Sequence, residues 1–427
     1  MPRTLYISYF GLREPLVQTQ VLPYLREIMR QDESDDLREP MAVSLLTFEP
    51  QFRQSWTPAE LKKTKEDLAA EGIEWHATGY HKWPSVPATF FDILNGTRVI
   101  RQLMRRQNYD VLHARVHIPM LMAAMARKLS RRRPKLLFDI RGFFPEEYTD
   151  AGRWPEGGWL YRSAKRIERW LLKESDGFVV LTEKAREILF PESAETGFDE
   201  RGRPVEVIPC CVDLTRFETD KETVNELRRQ LGIEDRPVIA YVGSFGGWYL
   251  TEEMFDLFTA AKGHDERTFV LILTQREKER IADELRARGF ADADFLVESV
   301  APQEISRYLS AADISVSFIK ACYSKLSSSP TKIAEYLACG LPVIINGGVG
   351  DLDALITANG VGTVINDFNK TSYISALQEL SSLSGVADKC RDTARREFDL
   401  KMVGGARYRR LYSRLLKKQD EQNGQIP

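Results

Sequence analysis

The feature that most constrains this chain is a rhythm. Short apolar runs of strand length alternate with longer amphipathic stretches from one end to the other. In the first half the runs are LYISYF, AVSLLTFE, IEWHATGY, DVLHARV, KLLFDIRG, GFVVLT and VEVIPCC; in the second they are VIAYVGSF, TFVLILT, DFLVES, ISVSFI, PVIIN and GTVI. Helical patterns such as QTQVLPYLREIMR and LYRSAKRIERWLLK lie between them. Strands that are apolar on both sides, with a helix between each and the next, predict a parallel sheet covered on both faces.

The rhythm breaks once, at the polar stretch LTRFETDKETVNELRRQLGIEDRP, and then restarts. The expectation is therefore an α/β chain of two Rossmann-like, doubly wound domains facing a central cleft. Residues 1–209 form the first and 210–395 the second, meeting near Pro209 to Pro237. A C-terminal helical segment, 396–427, carries Tyr408, Leu411, Tyr412 and Leu415 at helical spacing and is expected to return to the first domain. A length of 427 residues with 43% hydrophobic content suits two cores rather than one. The charged run RQDESDDLREP reads as a solvated loop, and QDEQNGQIP as a disordered tail.

Composition removes several function classes. A formal net charge of -2 gives no general attraction to nucleic acid. The five cysteines include no CxxC, which points to a reducing, cytoplasmic setting. The start MPRTLYISYF lacks a signal-peptide core, and no run approaches the roughly 20 apolar residues of a membrane span. Charge is uneven, however: 19 Lys and Arg stand against 8 Asp and Glu between His81 and Lys173. That surplus, with RKLSRRRPK at its centre, suits an anionic surface or acceptor, including peripheral contact with a membrane face. Trp170, Leu171 and Leu172 are either part of that contact or a helix face packed on its own sheet.

In doubly wound sheets ligands sit beyond the C-terminal strand ends, so chemistry belongs in strand-to-helix turns. The segment SSSPTKIAEYLACGLPVI reads as a helix with Pro330 at its first position, Ser329 as the cap and Gly340 as the stop. Lys332 in the first turn faces the positive end of the helix dipole, an awkward place unless an anion sits there. Glu335, one turn further, either pairs with Lys332 or accepts hydrogen bonds from sugar hydroxyls. A cation for phosphate and a carboxylate for ribose describe a nucleoside-diphosphate site. Gly243 in YVGSFGGWY permits close backbone approach after a strand, and YFGLREPLVQTQ, with Gln18, is a loop that shapes the cleft. His113 ends a strand and is either a cleft residue or a buried, satisfied histidine. There is no GxGxxG, no GxxxxGK[ST] and no HExxH, and the DAD at Asp292–Asp294 precedes its strand, so no metal is expected.

Together these residues resemble the family 4 glycosyltransferases of the GT-B fold. SPTKIAEYLACGLPVI is similar to that family's donor-site segment, VIPCCVDLTRF to its interdomain motif, and YVGS to its phosphate-side turn. REPLVQTQVLPYL, LLTFE, FDIRGFFPEEYTDAGRW and VVLTEKA are similar to a bacterial subgroup. The resemblance implies retaining transfer of a sugar from a UDP- or GDP-sugar to a saccharide, lipid-linked or other hydroxyl acceptor, in polysaccharide or glycoconjugate synthesis, with the nucleotide-sugar as co-substrate and no cofactor. It implies that Glu335 binds the ribose, that Lys332, Ser329 and Thr331 hold the diphosphate, that Gly243 and Ser244 approach the phosphates and that Val300 lies near the base. The family's paired glutamate is replaced by Ser327, its arginine after the glycine turn by Ser244 and Phe245, and its histidine after the fifth strand by Arg141. A permanently charged Arg141 is expected to clamp developing negative charge beside Asp139 rather than act as a base, or else to pair with Glu146 or Glu147. The alternatives are a nucleotide-sugar epimerase or hydrolase on the same fold, or a non-catalytic nucleotide-sugar-binding subunit.

Overall fold

Every one of the apolar runs is a strand in the computed structural model, which describes residues 1–31, 40–81, 83 and 85–423. They divide between two units, Met1–Pro209 with Leu400–Pro427, and Cys210–Asp399. The first unit holds β1 (Arg3–Ser8), β2 (Ala42–Pro50), β3 (Ile73–Tyr80), β4 (Val111–Arg115), β5 (Lys135–Asp139), β6 (Gly177–Val180) and β7 (Val205–Val207). Its sheet has the order β3-β2-β1-β4-β5-β6-β7, parallel throughout. The second holds β8 (Val238–Val242), β9 (Phe269–Leu273), β10 (Phe295–Glu298), β11 (Ile314–Ser317), β12 (Val343–Asn346) and β13 (Gly362–Ile365), in the order β10-β9-β8-β11-β12-β13, again parallel. Both orders reverse direction once, between β1 and β4 and between β8 and β11. At such a switch point the following loops diverge and leave a crevice at the C-terminal strand ends.

Burial explains the near-continuous apolar runs. Val238, Ala240 and Leu271 face one core of the second sheet, while Ile239, Tyr241, Val270 and Ile272 face the other. The helix Trp159–Glu174 buries Leu171 fully and leaves Trp170 and Leu172 half-buried, with Lys128 over the Trp170 ring.

The C-terminal segment differs from a single helix. Val386–Phe398 belongs to the second unit, Leu400–Gly405 forms a π-helical turn, and Ala406–Asn423 is the helix that packs on the first. The chain therefore leaves the second unit at Asp399, not at residue 395. A Cβ on Gly405 would lie 2.7 Å from Glu27 Cβ, so only glycine allows that approach to the helix Leu22–Met29. Tyr408, Leu411, Tyr412 and Leu415 are buried as their spacing predicts. Helix continues through Asn423 of the expected tail; residues 424–427, like 32–39 of the charged loop, lie outside the described residues.

Candidate functional site

The second unit's switch point gathers the residues that the sequence analysis expects at a donor site. β8 ends at Val242, and Gly243 turns the chain with φ +136, a conformation that side chains rarely adopt. A Cβ there would meet Lys332 Nζ at 2.8 Å, so the glycine turn and the lysine form one site. Tyr336, fully buried, bridges the two strands that separate here. Its hydroxyl accepts from Val242 N–H (2.8 Å) and donates to the Val316 carbonyl (3.3 Å). Asn346 at the end of β12 holds Ile319 by both its N–H and its carbonyl, each at 2.8 Å, and so fixes the loop after β11.

Helix Thr331–Ala338 starts one residue later than its sequence pattern predicts. Pro330 is the N-cap, and no side chain caps the helix. Ser329 is occupied elsewhere, its Oγ accepting from Cys210 N–H at 3.0 Å. Ile333 N–H turns back to the Pro330 carbonyl at 3.1 Å, which leaves the Thr331 and Lys332 N–H groups of the first turn without a partner among the described residues. Gly340, φ +81, ends the helix as expected, with Leu341 N–H reaching back to the Tyr336 carbonyl.

Lys332 is 7% exposed. Its ammonium lies 4.2 Å from the Tyr241 ring centroid and 4.0 Å from that of Tyr249. Its one hydrogen bond goes to Tyr241 Oη at 3.1 Å, and that hydroxyl donates to the Ser244 carbonyl at 2.6 Å. No salt bridge joins it to Glu335. Burial pushes Lys332 down to about 7, with Glu335 only partly opposing the shift. Burial likewise raises the Glu335 carboxyl against the pull of Lys332 and Arg216. Ring faces and one neutral hydroxyl leave the buried cation short of counter-charge.

The neighbouring residues sort less evenly. Ser244 is exposed and Thr331 half-buried at the helix start, while Val300 is half-buried with its carbonyl held by Gln275 Nε2 at 2.9 Å. Ser327, standing where the family has a glutamate, is buried and donates to the Ser324 carbonyl at 2.7 Å. Lys325 was not singled out by sequence: it is buried, with its ammonium 4.0 Å from the Trp248 ring centroid. The aromatic pair Trp248–Tyr249 inside the glycine turn was the available signal.

In the first unit the structure corrects two expectations. Arg141 does not project as a free clamp. Its Nε lies 2.7 Å from Asp139 Oδ1, and its Nη2 donates to Tyr408 Oη at 2.6 Å. Tyr408 donates in turn to Asp139 Oδ2 at 3.0 Å, so the guanidinium ties β5 to the C-terminal helix. Asp139 is fully buried; that burial opposes its charge, but Arg141, His113 and Arg115 outweigh it and hold the carboxyl below its usual range. His113 is fully buried, bonded through Nδ1 to Tyr412 Oη (2.8 Å) and 3.5 Å from Asp139, which makes it a packing residue. Burial lowers its pKa and keeps it neutral. Gln18 is exposed and donates to the Leu12 carbonyl at 2.6 Å, which closes the loop after β1.

His117 was the residue that sequence reasoning passed over. It stands four after His113, an HxxxH spacing, but the two rings serve different partners. His117 opens the helix His117–Lys128 after Val116, whose φ of 65 and ψ of 177 are strained for a β-branched residue. Its Nε2 lies 3.1 Å from Glu168, and Lys165 joins Glu168 to Glu146. Among the described residues no group of His, Cys, Asp or Glu could hold a metal. The DAD carboxylates are taken by cations: Asp294 by Arg236 and Lys262, Asp292 by Arg286.

Comparison with known proteins agrees with this geometry. The family model described as Glycosyltransferase Family 4 matches residues 57–216, and that described as Glycosyl transferases group 1 matches residues 223–397. A 2-deoxystreptamine glucosyltransferase of Streptomyces kanamyceticus is 26% identical over 192 residues, 44% of this chain and 46% of the relative's length. Among solved structures, sucrose-phosphate synthase from Thermosynechococcus elongatus superposes with a TM-score of 0.69 at 14% identity, over 98% of this chain and 100% of that one. The Anabaena protein HepE in complex with UDP-glucose does so with a TM-score of 0.60 at 12% identity, over 99% and 100%. With both unit sequences matched and the two-sheet architecture shared, this chain belongs to the family 4 glycosyltransferases of the GT-B fold.

Proposed function

We propose that this protein transfers a sugar, with retention of anomeric configuration, from a UDP- or GDP-sugar to a hydroxyl acceptor in glycoconjugate or polysaccharide synthesis. The observation that carries the reading is Lys332: a buried ammonium beside Gly243 and an uncapped helix start, with no salt bridge among the described residues. A diphosphate would supply its missing counter-charge and accept the first-turn N–H groups. Glu335, on the same helix, would accept from the ribose hydroxyls. In the reaction the bond between the anomeric carbon and the phosphate oxygen breaks, and a bond to the acceptor oxygen forms on the same face. The acceptor proton passes to the departing phosphate. Lys332 stabilises the charge growing on that phosphate, so no divalent ion is required. The relative named a glucosyltransferase and the neighbour solved with UDP-glucose favour UDP-glucose as the first donor to try. The first unit would receive the acceptor.

Incubation with a panel of UDP- and GDP-sugars tests this. Release of nucleoside diphosphate with an α-linked product from an α-linked donor, unaffected by EDTA, is the expected result. An epimerised donor, or binding without turnover, would replace the reading. Loss of turnover in EDTA, restored by manganese, would move leaving-group stabilisation to a metal.

A further inference from the structure

The motif VIPCCVDLTRF is not used up by the candidate donor site. Its end, Leu214–Phe217, is a 3₁₀ turn capped by Asp213, which accepts from Thr215 N–H at 3.1 Å. Arg216 of this turn draws the Glu335 carboxyl down, while Leu214 and the buried Phe217 line a cavity of about 790 Å³. The cavity lies at the far end of the helix Thr331–Ala338, where Ala338 and Cys339 form part of its wall, about 9 Å along the axis from Lys332. Val224, on the helix Lys221–Leu231, adds a further apolar surface.

Three cations share this lining. Lys221 is exposed and forms no salt bridge among the described residues. Arg391 and Arg395, one turn apart on the helix Val386–Phe398, form ion pairs with Asp388 and Asp392 of the same helix, exposed contacts of 3.4 and 2.5 Å that are worth little. Of the acidic residues in the lining, Asp220 is spent on the Thr223 N–H, and Glu218 is exposed. Arg391 also reaches the helix of Lys332. Its Nη2 donates to the Cys339 carbonyl at 3.4 Å, and a Cβ on Gly340 would lie 2.8 Å from its guanidinium.

We propose that this cavity is an effector site for a small amphipathic anion, an apolar ring carrying a carboxylate, sulfonate or phosphate, and that its occupant weakens nucleotide binding at Lys332. The volume falls within the range of about 300–1,000 Å³ of small-molecule sites, and apolar walls with a few cations suit such a ligand. The four-residue spacing of Arg391 and Arg395 puts both guanidiniums on one face of their helix, where each can meet an anionic oxygen. An anion held there competes with the Cys339 carbonyl for Arg391 and loosens the last turn of the helix that carries Lys332 and Glu335. The binding step is independent of the donor assignment; the coupling rests on it.

The probe is 8-anilinonaphthalene-1-sulfonate, followed by its fluorescence on the full chain. It should bind at one saturable site from which phenyl phosphate displaces it and inorganic phosphate does not. Lys221→Glu with Arg395→Glu should weaken it at least about tenfold, and Val224→Trp, which fills the cavity without changing charge, should do the same. Both variants should keep the wild-type melting temperature and, without the probe, the wild-type UDP affinity, which separates a lost site from lost folding. Saturating probe should raise the UDP Kd at least about fivefold, and saturating UDP should raise the probe's Kd by the same factor. No saturable binding, binding that both variants leave intact, equal displacement by inorganic phosphate, or a UDP Kd that the probe leaves unchanged or lowers overturns the proposal. Absence of UDP binding in the probe-free wild type would count instead against the donor site, and the response of the probe to the two variants would then decide the cavity.

Discussion

Replacing Lys332 by methionine should make the empty protein more stable while weakening its response to UDP. Methionine keeps the apolar stem between Tyr241 and Tyr249 and removes the charge. The lysine is held at about 7 against 10.5 when free, a difference on the order of 5 kcal/mol between its two protonation states. The sign follows from proton counts. Between about pH 7 and 10.5 the unfolded chain binds the proton and the folded one does not, so this group's contribution to stability improves as pH rises and its penalty is full below about 7. With about half of that difference recovered, a unit of this size should melt roughly 5–10 °C higher. The assay is differential scanning fluorimetry at pH 6.5 and pH 9, with and without UDP. The gain should be larger at pH 6.5, and UDP should raise the melting temperature of the wild type by more than that of the variant at the same concentration. A variant that melts below the wild type at pH 6.5, or that UDP stabilises as much as it does the wild type, would refute a lysine kept for its ligand at the expense of stability.

The remaining expectations concern the residues around it. Glu335→Gln should weaken UDP by about 1.5–3 kcal/mol, roughly ten- to a hundredfold in Kd by calorimetry. 2′,3′-Dideoxy-UDP should then lose little more; fully additive losses would remove Glu335 from the ribose. Gly243→Ala places a Cβ 2.8 Å from Lys332 Nζ at a φ of +136, so UDP binding should fall at least about tenfold with a modest loss of stability. Arg141→Ala leaves Asp139 buried without its closest cation and should cost about 3–5 kcal/mol in the first unit, read by urea denaturation. Its UDP affinity should be unchanged, and normal stability with reduced turnover would restore the clamp.

The strands and the donor helix were legible because they depend on local pattern. A parallel strand needs only a short apolar run, and Lys332 announced itself by standing against the helix dipole. Ser329 was misread as the cap because its partner, Cys210, lies 119 residues away in sequence. Arg141 was misread for the same reason: Tyr408, which fixes it, arrives from a helix 267 residues later. The role of Tyr241 as one wall of the cage around Lys332 was equally hidden, since a tyrosine near the end of a strand reads as core. His117 was passed over because its partner, Glu168, sits on a separate helix. Sequence therefore shows which turns carry chemistry, while the pairing of buried charges depends on contacts made only after the sheet has closed.

Calorimetric titration with uridine, UMP and UDP tests the proposed donor site most directly, because only the last carries the diphosphate that the proposal assigns to Lys332 and the uncapped helix. UDP should bind wild-type protein about ten- to a hundredfold more tightly than UMP, with proton uptake above about pH 7, and Lys332→Ala should bring the two nucleotides to similar affinity. Equal affinities for UMP and UDP in the wild type, or an advantage for UDP that survives Lys332→Ala, would contradict the assignment of this site to a nucleoside-diphosphate donor.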